Sequence, residues 1–360
     1  MSNSAPNQSH FYLYLGNYSD RINAYNYDSK TGEAEPLAMQ DELKNPSFVA
    51  VDPHFKYLYA VSELDGEVNG GVGAFAIDRA TGKLRKLNTR SSEGQAPCHI
   101  SVDHSGKLVL VANYGTGEVT VYPINPDGSL GPTHQTLAAK GSSVNKQRQS
   151  GPHAHEAVWS PDNRFVYVPD LGLDHIRIYK LDAGGQNLSP NDPPFAQLHP
   201  GNGPRHIVIS TDGKFAYVAN ELTPVVTTFS RNTETGALTQ IQELSILPEG
   251  ATGDNGPAEI AIGPAGKFVY VSNRGPGTVA VFAIDHGAGT LRPVEVVKTG
   301  GTWPRAFEFD PSGQHMLVGD QKADSFVEFD VDSQTGKLTA SGKKWQTASP
   351  VSFLFVPSAK

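Results

Sequence analysis

The segment PAEIAIGPAGKFVYVSNRGPGTVAVFAID, residues 257–285, contains three short apolar runs separated by turns rich in glycine. The first run follows a proline, the second is FVYVSN and the third is TVAVFAID. Short runs of Val, Ile, Phe and Tyr bounded by glycine or proline are typical of β-strands. The segment therefore predicts three consecutive strands. In other copies of the pattern a turn such as TGKL, residues 81–84, introduces a weak fourth strand.

This strand unit occurs seven times along the chain. The copies begin at Pro46, Pro97, Ala154, Pro204, Pro257, Pro304 and Pro350. A turn residue follows seven positions later in every copy, at Pro53, His104, Pro161, Thr211, Pro264, Pro311 and Pro357. Successive copies start 46 to 57 residues apart. This period fits the roughly 40 to 50 residues of a four-stranded propeller blade.

The two ends of the chain complete each other. Residues 11–37 contain a second and a third strand without a leading one, and residues 350–357, PVSFLFVP, form a leading strand with nothing after it. We therefore predict an all-β, seven-bladed β-propeller with four-stranded antiparallel blades. The C-terminal strand would close the ring by pairing with the N-terminal blade, which removes the exposed sheet edge. The strict spacing argues against a pair of β-sandwiches. One domain over residues 1–360 is expected, with about residues 1–9 disordered.

Composition limits the classes of function. The formal net charge is −8, so the surface would repel nucleic acid and anionic membranes. Cys98 is the one cysteine of the sequence, which allows no internal disulfide, and we interpret it as a packing residue. The chain starts without a basic and apolar leader and contains no long apolar run. A cytoplasmic protein is expected, and no partner protein is implied.

The register of the repeat indicates which residues share one end of the channel, because the start of the first strand lies beside the end of the second. The two positions after each leading residue hold Ser47-Phe48, Cys98-His99, His155-Glu156, Arg205-His206, Ala258-Glu259, Arg305-Ala306 and Val351-Ser352. The second strands end in Asn17-Tyr18, Ser62-Glu63, Asn113-Tyr114, Asp170-Leu171, Asn220-Glu221, Asn273-Arg274 and Asp320-Gln321. Asn, Ser or Asp recurs in the first place of the latter pairs, which indicates hydrogen bonding to turn backbone.

Residues that do not recur from blade to blade indicate function. His155, Arg205, Glu221, Arg274 and Arg305 come from four consecutive blades and should reach one channel mouth. Arginine side chains suit carboxylate and phosphate groups, so they predict an anionic ligand, with salt bridges to nearby carboxylates as the plainer alternative. His155 and Glu221 are both candidates for activating a water molecule.

The segment GPHAHE raises the question of a metal site. His153 and His155 alternate along a predicted strand and would therefore point the same way. Two histidines on one face with a glutamate nearby could bind a metal, but no third ligand stands at a convincing spacing. We therefore expect neither a metal nor another cofactor.

The longest interruption of the repeat is HQTLAAKGSSVNKQRQSG, residues 134–151. It carries Lys140, Lys146 and Arg148 and runs into the two-histidine segment. A solvent-exposed loop is the ordinary interpretation. A basic flap over the channel mouth is the alternative.

Several segments together resemble the seven-bladed propeller lactonase family. These are GPHAHEAVWSPDNRFVYVPDLGLD, GPRHIVISTDGKFAYVANEL, FVYVSNRGPGTVAVF and WPRAFEFDPSG, and the resemblance covers essentially the whole chain. The family includes bacterial cycloisomerase-type 6-phosphogluconolactonases and fungal 3-carboxy-cis,cis-muconate lactonizing enzymes. It implies a lactone as substrate or product. By motif, the histidine, arginine, glutamate and second arginine implicated in the muconate enzymes fall on His155, Arg205, Glu221 and Arg274. His153 is the alternative histidine, because the family's P-H-x-H segment holds two.

The sequence thus predicts hydrolysis of a sugar lactone, with 6-phospho-glucono-1,5-lactone as the first candidate. Substrate binding is expected of residues around the same mouth, namely His153, Arg305, His206, Glu63, Tyr114 and Gln321. The alternatives are a carboxymuconate cycloisomerase, a lactonase for another aldonic acid, and a non-catalytic propeller that binds a ligand or a protein. An exposed apolar face would favour the last alternative, and a polar pocket lined by arginine would favour an enzyme.

Overall fold

The computed structural model describes residues 8–38, 40–66, 69–248, 250–251 and 253–359. Within them lie 28 strands in seven four-stranded antiparallel sheets, and one short 3-10 helix, η1 (Gln321–Ala323). The first fourteen strands are β1 (His10–Gly16), β2 (Asn23–Asp28), β3 (Glu33–Pro36), β4 (Val49–Val51), β5 (Tyr57–Ser62), β6 (Gly71–Asp78), β7 (Lys83–Ser91), β8 (Pro97–Val102), β9 (Leu108–Asn113), β10 (Val119–Pro123), β11 (Gln135–Leu137), β12 (Val158–Trp159), β13 (Phe165–Asp170) and β14 (His175–Leu181). The others are β15 (Leu188–Gln197), β16 (Pro204–Ile209), β17 (Phe215–Asn220), β18 (Val225–Arg231), β19 (Leu238–Ser245), β20 (Pro257–Ile262), β21 (Phe268–Asn273), β22 (Thr278–Ile284), β23 (Leu291–Lys298), β24 (Pro304–Phe309), β25 (His315–Asp320), β26 (Ser325–Val331), β27 (Leu338–Gln346) and β28 (Ser352–Pro357).

Each sheet is one blade of a seven-bladed propeller, as predicted. Blade 1 has the strand order β28-β1-β2-β3, and blades 2 to 7 each consist of four strands consecutive in sequence, from β4–β7 to β24–β27. The C-terminal strand pairs antiparallel with β1, from Phe11 opposite Pro357 to Gly16 opposite Ser352. The predicted closure is therefore confirmed, and it leaves no first strand unpaired in the ring.

The core is divided among the junctions between blades. Seven clusters of buried apolar residues occur, one between each pair of neighbouring blades. At the closing junction, Leu317 and Phe326 of blade 7 pack with Leu13 and Tyr25 of blade 1. The second strands are buried along almost their whole length because a neighbouring blade covers each of their faces.

A tyrosine contact repeats between neighbouring blades and explains the glycine turns seen in the sequence. The hydroxyl groups of Tyr14, Tyr59, Tyr167 and Tyr270 donate to the carbonyl oxygens of Gly82, Gly128, Gly236 and Gly336 in the next blade. These glycines have φ between 73° and 84°, in the left-handed region. A Cβ at Gly236 would lie 2.5 Å from the Phe165 ring, so conformation and space both require glycine there.

The polar residue that ends each second strand is architectural, as expected. Asn113 Nδ2 donates to the Ser92 carbonyl at 3.0 Å, and Ser62 Oγ donates to the Lys44 carbonyl at 2.6 Å. Equivalent bonds to neighbouring turn backbone are made by Asn17, Asp170, Asn220 and Asn273. Asp320 instead accepts from the Thr299 hydroxyl at 2.9 Å. These side chains fix the turns at the channel mouth.

An irregularity at the start of four inner strands changes which residues face the channel. The register shifts between Pro97 and His99, Pro204 and His206, Pro257 and Ile260, and Pro304 and Ala306. Such a β-bulge breaks the strict alternation of side chains. Neighbours in sequence can therefore converge, and Arg205 Nη1 lies 3.2 Å from His206 Nε2.

Two expectations need correction or qualification. His153 and His155 do not share a regular strand, because β12 begins only at Val158 and a single bridge joins Ala154 to Asp170. The disorder predicted for about residues 1–9 falls mostly on residues 1–7, which lie outside the described residues, whereas Ser9 is buried. Among the described residues, no helix has the length and the apolar composition needed to cross a membrane.

Candidate active site at the channel mouth

Glu221 is the centre of a cluster of charged side chains at the channel mouth. Its Oε2 lies 2.9 Å from Arg274 Nη2 and 3.2 Å from Arg205 Nε. Its Oε1 lies 2.5 Å from Arg148 Nη2. Burial would raise the pKa of Glu221, but the three arginines outweigh burial and lower the pKa to about 2. The carboxylate is therefore ionised at neutral pH and is a weak proton acceptor.

His155 lies next to this carboxylate. Its Nε2 is 4.0 Å from Glu221 Oε2, and its side chain is 6% exposed. Burial, followed by the charge of Arg205, lowers the pKa of His155 well below 6.5. The imidazole is therefore neutral at pH 7, with a nitrogen able to accept a proton while an anion stands beside it.

Cys98 has a partner that the sequence did not indicate. Its Sγ lies 3.7 Å from His155 Nδ1 and donates to the His155 carbonyl at 3.2 Å. Burial raises the pKa of the Cys98 thiol. The thiol therefore stays protonated at neutral pH and packs behind the imidazole instead of offering a nucleophilic thiolate.

Arg205 is held from below by a second layer of channel residues. Arg205 Nη1 donates to the Ala258 carbonyl at 2.7 Å and lies 3.2 Å from His206 Nε2. His206 Nδ1 lies 3.0 Å from Glu259 Oε1. Because an arginine can only donate, His206 Nε2 accepts and Nδ1 carries the proton. Both ring nitrogens of His206 are thus engaged by protein groups, and this histidine supports Arg205.

Arg305 has donors that no described residue uses. Its guanidinium lies over the Tyr18 ring, with Cζ 5.5 Å from the ring centroid. It makes no hydrogen bond and no ion pair within 4.0 Å to any part of the chain that the structure describes. Tyr18 in turn donates to both carboxylate oxygens of Glu63 at 2.9 Å. Burial and then the nearby charge of Arg305 lower the pKa of Arg205, so the two guanidinium groups lie near each other.

Tyr114 connects the two histidines to the long loop. His153 stacks on the Tyr114 ring at 4.7 Å, and its Nδ1 lies 2.7 Å from the Tyr114 carbonyl. His155 meets the same ring edge-on at 5.4 Å. Arg148 Nη2 donates to the Tyr114 hydroxyl at 3.0 Å. Of the two histidines, His155 is therefore the one beside Glu221, and His153 orients Tyr114.

The loop at residues 134–151 does reach the channel mouth. Gln149, fully buried, donates to the Leu171 carbonyl at 2.9 Å, and Ser143 Oγ donates to Asp174 at 2.6 Å. These anchors leave Arg148 on top of the mouth with its side chain 42% exposed. The sequence offered the loop as a possible basic flap but did not include Arg148 among the site residues, because nothing in the repeat defines where an inserted loop reaches.

The structure brings all four residues assigned to catalysis into direct contact. Four guanidinium groups, from Arg148, Arg205, Arg274 and Arg305, meet two carboxylates, from Glu63 and Glu221. Guanidinium groups therefore outnumber carboxylates at this mouth, even when Glu259 is counted, on a protein whose net charge is −8. An anionic ligand would find its complement here. Gln321 lies at the rim, where its backbone N–H donates to the Trp303 carbonyl at 3.1 Å.

No three potential metal ligands at this mouth have ligand atoms within 4.8 Å of one another in the described part of the chain. Among the described residues, the group that meets this distance criterion lies away from the mouth, in blade 7, and consists of His315, Glu328 and Asp330. Lys343 Nζ lies 3.2 Å from Glu328 Oε1 and already supplies a positive charge to that carboxylate. This arrangement is an ion pair between buried Glu328 and partly exposed Lys343, with His315 beside both Glu328 and Asp330.

Comparison with known proteins agrees with this fold. The family profile described as a lactonase with a 7-bladed beta-propeller matches residues 12–355. A 6-phosphogluconolactonase from Bacillus subtilis is 35% identical over 95% of this chain and 97% of its own length. One from Formosa agariphila is 33% identical over 91% and 94%, respectively. The structure of a periplasmic gluconolactonase from Pseudomonas aeruginosa superimposes with a TM-score of 0.91 at 32% identity, covering 97% of this chain and 99% of the other. The chain belongs to the seven-bladed β-propeller lactonase family.

Proposed function

We propose that this protein hydrolyses a sugar lactone that carries an anionic group, with 6-phospho-glucono-1,5-lactone as the first candidate. The observation that carries the proposal is the unpaired guanidinium of Arg305 beside the Glu221 cluster. A surplus of positive charge at the mouth suits both an anionic substrate and the negative charge that develops on the lactone carbonyl oxygen. The names of the relatives from Bacillus subtilis and Formosa agariphila support the same substrate.

His155 is the proposed base. Neutral His155 would take a proton from water as the water oxygen attacks the lactone carbonyl carbon. Ionised Glu221, 4.0 Å away, would stabilise the imidazolium that forms. Arg205 and Arg305 would donate to the oxyanion of the tetrahedral intermediate. Collapse would break the ring ester bond, and the imidazolium would return its proton to the leaving hydroxyl, which leaves a hydroxy acid that ionises.

This assignment chooses between the two bases that the sequence left open. Glu221 has a pKa of about 2, so it would gain little free energy by accepting a proton. The mouth is lined by charged side chains, and the large apolar residues that are exposed in the described part of the chain are Val144, Phe195 and Ile241, which come from three different segments. This favours an enzyme over a non-catalytic binding propeller. A cytoplasmic location stays a prediction from the sequence.

The test is hydrolysis of freshly prepared lactone, measured by proton release against the spontaneous rate. The parent protein should accelerate hydrolysis, and His155→Gln should lower kcat by about 100-fold or more, in the range usual for a general base. His175→Gln, in the stacked pair with Phe195 on the blade surface, is the matched control and should keep the parent rate. A parent protein without activity above background, or a His155 variant with full activity, would contradict the proposal. The same preparation tested for ring closure of carboxymuconate examines the cycloisomerase alternative.

A further inference from the structure

Trp303 has a backbone conformation at the channel mouth that is uncommon for a bulky residue. It precedes the leading Pro304 and has φ of 67°. Positive φ recurs at this position in other blades, at Asn45, Ala96, Gly203 and Ser349. Those residues are small or tolerate this region, whereas a bulky side chain there is an outlier. Strained residues concentrate at functional sites, so the tryptophan calls for a role that a smaller residue could not fill.

Two cationic side chains contact the indole ring of Trp303. Arg274 Cζ lies 5.4 Å from the ring centroid and Lys322 Nζ lies 3.3 Å from it. The two groups are therefore at most the sum of these distances, 8.7 Å, apart. Like charges at this separation repel each other, and the negative face of the ring offsets part of that repulsion. The tryptophan thus holds two positive charges near each other at the rim of the mouth.

Both cations have donors to spare. Lys322 is exposed, and its Nζ makes no hydrogen bond or ion pair with the described residues. Arg274 uses Nη2 for Glu221 and Nε for the Gly256 carbonyl, which leaves Nη1 without a partner in the described ranges. The short helix η1 that carries Lys322 is fixed to the Trp303 segment, because the Lys322 backbone N–H donates to the Thr302 carbonyl at 3.3 Å.

The exposure of the positively charged groups increases from the inside of the site to its rim. Arg205 is 2% exposed, Arg274 is 9% exposed and Lys322 lies at the surface. A sugar lactone whose carbonyl group reaches His155 must therefore enter the mouth with its carbonyl end first. A phosphate ester at the other end of the sugar would remain at the rim, where it stays partly hydrated and can accept from lysine and arginine donors.

We infer that Trp303, Lys322 and the free Nη1 of Arg274 form a phosphate subsite that selects phosphorylated over unphosphorylated sugar lactones. This inference rests on the proposed function, because it assigns the substrate class of the same site. Arg274 joins the two parts, since its Nη2 pairs with Glu221 while its guanidinium also lies over the Trp303 ring. Trp303 is a positioning residue in this scheme, and Lys322 is the residue that touches the phosphate.

The experiment compares two lactones, 6-phospho-glucono-1,5-lactone and glucono-1,5-lactone, with the parent protein and with Lys322→Gln. The variant should lower kcat/KM for the phosphorylated lactone by about tenfold, the loss expected for one charged contact to phosphate. The value for glucono-1,5-lactone should stay within about twofold. Lys337→Gln, an exposed lysine in the far turn of the same blade, is the matched control and should change neither value.

Trp303→Gly separates the functional from the structural interpretation. Glycine adopts a φ of 67° freely, so the relief of backbone strain offsets part of the lost ring contacts and this variant should remain folded. It should still lose its selectivity for the phosphorylated lactone, because the Lys322 ammonium group would no longer be held by the indole ring. Unchanged selectivity in both variants would overturn the subsite while leaving the lactonase proposal intact. A parent protein that prefers glucono-1,5-lactone would also overturn the subsite and leave the lactonase proposal intact. A parent protein that hydrolyses neither lactone would contradict both the subsite and the lactonase proposal.

Discussion

Replacing Glu221 by glutamine tests the electrostatic account of the site. The pKa of Glu221 falls from its ordinary 4.5 to about 2, mainly because Arg274 and Arg205 outweigh the effect of burial. A difference of about 2.5 pH units corresponds to about 3 kcal/mol of stabilisation of the folded state. Because the pKa is lowered, this stabilisation is present above pH 4.5 and is lost as the pH falls toward 2. Glu221→Gln should therefore lower the free energy of unfolding at pH 7 by about 3 kcal/mol.

The measurement is urea unfolding of the parent and the variant at pH 7, with kcat determined on the same preparations. Activity should fall by about 100-fold, because the imidazolium of His155 would lose its anionic partner. Glu234→Gln is the control, since Glu234 pairs with Arg164 in an ion pair whose side chains are 83% and 46% exposed. Its effect on stability should stay below about 0.5 kcal/mol. A Glu221 variant as stable and as active as this control would refute the reasoning.

Two further predictions concern the loop and the channel. Arg148→Ala should raise KM for the phosphorylated lactone about fivefold and leave kcat within about twofold, because a half-exposed arginine adds attraction without reaching the reacting atoms. Burial raises the pKa of Glu259 from 4.5 to about 7. The folded protein should therefore lose about 3 kcal/mol of stability as the pH rises from 4.5 through 7. Glu259→Gln should remove this loss, and thermal unfolding should show a higher melting temperature than the parent at pH 8 but not at pH 5.

Each of these predictions has a clear contrary result. A large fall in kcat with unchanged KM in Arg148→Ala would place that arginine in the chemical step. An equal destabilisation of Glu259→Gln at pH 5 and pH 8 would show that Glu259 matters through its fixed hydrogen bond to His206 and not through its ionisation.

The agreement between sequence and structure is closest where the chain repeats. The closing strand and the polar ends of the second strands could be predicted because each blade presents the same local pattern to the same neighbours. Four inner strands begin at the predicted leading residue, whereas the other three begin later, at Val49, Val158 and Ser352. His155, Arg205, Glu221 and Arg274 stood out as departures from that pattern, and the structure places them in contact. The positions at which the blades differ from one another therefore indicated the candidate site.

The sequence did not predict the local structure where a blade departs from the regular strand pattern. The segment around His153 and His155 was expected to be a regular strand, but its inner strand is reduced to Val158–Trp159. The β-bulge at Arg205 brings two sequence neighbours to one side of the channel, which strict alternation would forbid. Arg148 enters the site from a loop whose path depends on the anchors at Ser143 and Gln149.

The amino-acid sequence by itself determined the number of blades, the closure of the ring and the face on which the unusual charges gather. These properties follow from the spacing of strands and turns, which is written locally and repeated seven times. Tertiary structure alone decided the charge states and the shape of the mouth. The low pKa of Glu221 and the neutral state of His155 arise from burial and from charged neighbours distant in sequence, and these depend on how the blades pack around the channel.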